Sequence, residues 1–96
     1  MSPKNKKKLE GIRKKLDSLD NRLLALIKYR TSLVKEVLKL KEFKTEIVDQ
    51  KRINFILNKI KEKSEKLKID PKITNRIWKN MIWSYIDYER RNFKKK

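Results

Sequence analysis

From Leu9 to Leu40 one set of positions recurs at alternating steps of three and four: Leu9, Ile12, Leu16, Leu19, Leu23, Leu26, Arg30, Leu33, Val37 and Leu40. Such spacing draws one stripe along a single long helix. A helix from about Asn5 to Lys41, rising about 1.5 Å per residue, spans roughly 55 Å. That is long for a 96-residue chain. Part of it must pack against another chain or protrude, and the apolar seam favours a partner helix. Arg30 interrupts the seam. A guanidinium keeps its proton, and burying it unpaired is costly. An anion must meet it, and a chain with few carboxylates makes a bound ligand a candidate for that anion.

Composition narrows the remaining choices. Glycine occurs once and proline twice, which argues for a few long helices over a turn-rich β architecture. The chain has no cysteine and no histidine, so it lacks a disulfide framework, a thiol nucleophile, the usual general base and the usual zinc ligand. No metal site and no cofactor are expected. No segment reaches the roughly 20 apolar residues that span a bilayer, and no apolar stretch follows the basic start MSPKNKKK. A cytoplasmic protein is the default. The 29 basic residues outnumber 12 acidic ones, giving a formal charge of +17. That balance raises nucleic-acid binding, but lysines more often form a solvated face, and anionic small molecules fit the same sign of charge.

An all-α fold of three helices, one long and two shorter, accounts for nearly the whole chain. A connection runs from about Glu42 to Val48. Asp49 reads as the N-cap of a second helix whose buried face is Ile53, Ile56, Leu57, Ile60 and Leu67. A break near Lys68–Ile69 precedes Asp70-Pro71, an N-cap followed by proline at the first helical position. The third helix carries Trp78, Ile82, Tyr85 and Glu89 on one side, with Ile77 and Met81 alongside, and gives way to the polar stretch Arg90 to Lys96. Residues 5–93 are expected to form one domain, with 1–4 and 94–96 as basic, disordered ends.

Beside the seam runs the line Arg13, Asp20, Ile27, Val34, Lys41, each seven residues apart, so Arg13 and Lys41 flank the stripe on one side. Arg30 and Lys41 are about 16 Å of rise apart, close enough for both to lean towards a small molecule between them. Arg13 is about 25 Å from Arg30 and could join them only from an antiparallel partner helix. Each of these cations has the plainer reading of a snorkelling or salt-bridged residue. Asp49 reads equally as a simple helix cap and Arg52 as a surface residue. Glu89 is odder: a carboxyl among apolar neighbours is either paired with a cation or kept protonated.

With those positions laid out, the chain resembles the all-helical chorismate mutases over nearly its full length. IRKKLDSLDNRLLALIKYR is similar to that family's first-helix signature, VKEVLKLK to its V-x-E-V-x-x-x-K, IVDQKRI to its D-x-x-R entry to helix two, and IDPKITNRIWKNMIWSYIDYE to its third helix. The resemblance implies an intertwined helical homodimer with two sites. In it Arg13 from the partner subunit and Arg30 bind the two carboxylates of the substrate. Lys41 and Glu89 meet the ether oxygen, Asp49 holds the ring hydroxyl, Arg52 borders the carboxylate region and Val37 lines the pocket. Two positions depart from the mutases: Ile53, where a glutamate usually follows the arginine, and Tyr85, where serine is common. Both resemble a sister branch, the isochorismate pyruvate lyases.

The implied reaction is the pericyclic rearrangement of chorismate to prephenate in aromatic amino acid biosynthesis, the shikimate pathway. It needs no nucleophile, metal or redox cofactor. The lyase reaction, giving salicylate and pyruvate, is the alternative within the enzymes. A basic helical nucleic-acid-binding or coiled-coil module is the alternative outside them. On the leading reading the partners are a dicarboxylate substrate and a second copy, with neither nucleic acid nor membrane.

Overall fold

The computed structural model describes residues 1–94. It is all-α: α1 (Pro3–Leu40), a single 3-10 turn (Lys44–Glu46), α2 (Gln50–Lys66) and α3 (Pro71–Asn92). By its internal contacts the chain divides into two compact units, Met1–Leu33 and Val34–Lys96. No helix among the described residues is long and apolar enough to cross a membrane.

The first unit lies almost wholly within α1. Its helix starts at Pro3, two residues before the expected Asn5, inside the stretch 1–4 expected to be a disordered end. The cause is local. The Ser2 hydroxyl accepts from the Asn5 N–H at 3.2 Å, the Ser2 carbonyl accepts from the Lys6 N–H at 2.8 Å, and proline suits the first helical position because it has no N–H to leave unpaired. No residue of α1 is buried. Ile12, Leu16, Leu19, Leu23 and Leu26 each keep about half or more of their surface open to solvent. A contiguous apolar stripe of this kind marks an interaction surface.

The second unit holds the core. Ile47, Ile53, Ile82 and Ile86 are buried together, with Val48, Ile56, Leu57 and Phe93 packed around them. The α2 face expected from spacing is present except at Leu67, which is 71% exposed. The reason is that α2 stops at Lys66, so Leu67 caps the helix with non-helical backbone and turns off the face. Ser64 is buried instead. Its hydroxyl donates to the Ile60 carbonyl at 2.6 Å and lies 2.7 Å from the Thr74 hydroxyl on α3. Small side chains with mutually satisfied hydroxyls let the two helices approach closely there.

The turn between α2 and α3 has a defined geometry. The Lys68 N–H donates to the Glu65 carbonyl and the Ile69 N–H to the Ser64 carbonyl, the paired bonds of a Schellman ending. Such an ending needs a left-handed residue, and Lys68 supplies it at φ 58°. A lysine there costs about 1–2 kcal/mol, partly offset because glycine would lose more freedom on folding. Asp70 then caps α3 by accepting from the Lys72 N–H at 2.9 Å, with Pro71 in the first turn as expected. The helix runs on to Asn92, taking Arg90, Arg91 and Asn92 out of the expected polar tail. Lys95 and Lys96, part of the other expected loose end, lie outside the described residues.

Lys68→Gly should therefore raise unfolding free energy by about 0.5–1 kcal/mol, while Ile86→Ala should lower it by about 2–5 kcal/mol. Urea denaturation at fixed protein concentration measures both.

Candidate active site

The site is assembled around one ion pair. Lys41 is the residue immediately after α1, and Glu89 lies near the end of α3, 48 positions later. The Lys41 ammonium donates to both carboxylate oxygens of Glu89, at 3.1 and 3.3 Å. Glu89 is buried, with 5% of its surface exposed, and sits one turn beyond Tyr85 and Ile86 on the face that packs inward. The side chain of Lys41 retains 17% of its own. Of the two states open to a carboxyl on this apolar face, the chain adopts the one with a cation beside it. An unpaired carboxylate so deep would forfeit several kcal/mol of hydration.

Asp49 is fixed by its own helix. Its carboxylate accepts from the Arg52 N–H at 3.0 Å, capping α2 as the sequence predicted. The connection before it is held by the 3-10 turn, where the Phe43 N–H donates to the Glu46 carboxylate at 3.2 Å. In this way Lys41, Glu46, Val48 and Asp49 come to line one open cleft of about 420 Å³. Buried Ile47 anchors that connection to the core. The sequence reading passed over Ile47 because a lone apolar residue in a short connection carries no periodic signal.

The other predicted positions are distributed as follows. Val37 is about half exposed on α1, and Tyr85 is half-buried on α3. Ile53 is buried in the core beside Ile82 and Ile86, so the position that departs from the mutase pattern does a packing job. Arg52 is exposed, its guanidinium 5.3 Å from the centre of the Phe55 ring, which Lys59 also approaches at 5.9 Å. Arg13 and Arg30 belong to the first unit, where Arg13 is exposed and Arg30 half-buried. Among the described residues no group of three or more His, Cys, Asp or Glu could hold a metal ion.

The two partners of the buried pair are unequal in what their loss exposes. Lys41→Met strands the Glu89 carboxylate and should cost about 3–5 kcal/mol of stability. Glu89→Gln leaves a lysine that still reaches water and an amide that can hydrogen-bond, so its cost should stay near 1–2 kcal/mol. Denaturation midpoints of the two variants read the difference, and equal losses would show that the carboxylate is not the harder group to leave alone.

Comparison with known proteins extends the geometry. Residues 12–90 match the family model for chorismate mutase type II. A chorismate mutase of Methanocaldococcus jannaschii is 36% identical over 76 residues, covering 78% of this chain and 77% of that protein. No solved structure matches. The matched residues include the end of α1, the whole of α2 and Glu89 on α3, and the chain belongs to the chorismate mutase type II family.

Proposed function

We propose that the protein catalyses the rearrangement of chorismate to prephenate, with Lys41 and Glu89 at the ether oxygen whose bond breaks. The buried Lys41–Glu89 contact beside the Asp49 cleft, in a chain of this family, is the observation that carries the reading. The reaction forms one carbon–carbon bond as one carbon–oxygen bond breaks within a single molecule. The catalyst has to hold a dianion in its compact conformer and stabilise the charge that grows on the ether oxygen. Lys41 supplies a cation for that oxygen. Asp49, already oriented by the α2 cap, is placed to accept from the ring hydroxyl, a task Ile53 cannot share from the core.

The two substrate carboxylates call for two guanidiniums, because a planar fork fixes direction as well as charge. Arg30 provides one. Arg13 provides the other from a second copy of the chain, and the open leucine stripe of α1 supports that intertwined homodimer. Val37, Arg52 and Tyr85 complete the surroundings of the substrate. The product points to a place in aromatic amino acid biosynthesis in the cytoplasm. A charge of +17 draws a doubly negative substrate towards the protein.

Glu89 accepts from the Lys41 ammonium and so holds that cation where the ether oxygen gains charge.

Purified protein should convert chorismate to prephenate, and isochorismate should yield no salicylate fluorescence. Arg30→Lys keeps the charge but loses the fork, and should lower kcat/KM by about a hundredfold or more. A variant of near-normal activity would remove Arg30 as a substrate anchor.

A further inference from the structure

One face of α3 is left unused by the core and by the proposed site. Lys72, Arg76, Lys79, Trp83 and Arg90 follow one another at steps of four, three, four and seven, so they share a single stripe of the helix. All five are exposed, and the stripe lies about a quarter-turn around the helix from the face that buries Ile82, Ile86 and Glu89. Trp83 keeps 49% of its surface open at the centre of the stripe. Two acids lie close by: Asp70 is engaged in capping the helix at the Lys72 N–H, and Asp87 is taken up by Arg91, whose guanidinium donates to it at 2.8 Å. The four cations of the stripe make no salt bridge among the described residues.

We infer that this face of α3 binds a single-stranded nucleic acid, its phosphates on Lys72, Arg76, Lys79 and Arg90 and a base stacked on Trp83. From Lys72 to Arg90 the helix rises about 27 Å, a line long enough to follow several consecutive phosphates. Basic residues that track a backbone, combined with an aromatic side chain offering a stacking platform, are the two elements of sequence-tolerant single-strand recognition. A second copy of the chain would present the same positive face and be repelled. A small anion would need neither the length of the stripe nor its tryptophan. This inference departs from the expectation, drawn from sequence, of no nucleic-acid partner. It does not rest on the proposed reaction.

The test is fluorescence anisotropy with a labelled single-stranded oligonucleotide, run across about 50 to 200 mM salt. Wild type should bind with an affinity that falls steeply with salt. Arg76→Ala with Arg90→Ala should flatten the logarithmic slope by about 1.4, since each phosphate contact on a single strand contributes about 0.7. Trp83→Ala should weaken binding roughly five- to 150-fold, the loss of one stacked base. All of these variants should turn over chorismate as wild type does. Absence of binding would overturn the inference. So would binding that ignores Trp83, or equal binding to polyglutamate or anionic lipid vesicles with the same dependence on Trp83. Loss of binding only when Lys6, Lys7 and Lys8 are replaced would move the contact to the start of the chain and equally overturn it.

Discussion

A carboxylate that cannot reach water governs how the second unit of this protein is put together. Glu89 is drawn inward because it sits on the face of α3 that buries Ile82 and Ile86, and Lys41 answers it from just beyond the end of α1. The attraction between them largely offsets the desolvation of both groups, so the pair contributes little net stability. What it contributes is specificity of arrangement. The segment leaving α1 has to deliver Lys41 to one place, and the short connection to α2 follows from that. Ile47 and the Asp49 cap then hold the connection, and the cleft is a consequence of those three anchors.

The first unit rests on a different constraint. A helix with no buried residue and a row of leucines about half open gains little from its own packing. Isolated helices draw most of their stability in proteins from covering such a face. The proposed second copy would meet this need and deliver Arg13 to the substrate at the same time. Folding and site formation would then be one event.

Periodicity made the helices legible from the sequence. The long α1, the Asp49 and Asp70 caps and the Ile82–Glu89 side of α3 follow from spacing and local hydrogen bonding and stand in the structure. Ile77, expected to widen that side, is instead 49% exposed because it projects from the far side of the helix, and Ile86, not singled out, is buried. Two kinds of feature were hidden. Ile47 is deeply buried although nothing around it repeats, since burial there is decided by tertiary contact. Leu67 matched the helical period but is exposed, because a left-handed residue at 68 ended the helix first. At the site, spacing limited Glu89 to two states, pairing or protonation. Spacing did not supply its partner: the family resemblance placed Lys41 near it, and the fold brings the two into contact from 48 residues apart.

The Ser64–Thr74 contact has a consequence for how the protein can vary. Two hydroxyls 2.7 Å apart, Ser64 buried and Thr74 partly so, set the separation of α2 and α3 near the turn that joins them. Glu89 rides at the far end of α3, so a bulkier side chain at 64 would tilt the helix like a lever about its fulcrum, with the largest displacement at the remote tip. A position that touches no substrate therefore restricts which neighbouring sequences evolution can reach without loss of catalysis.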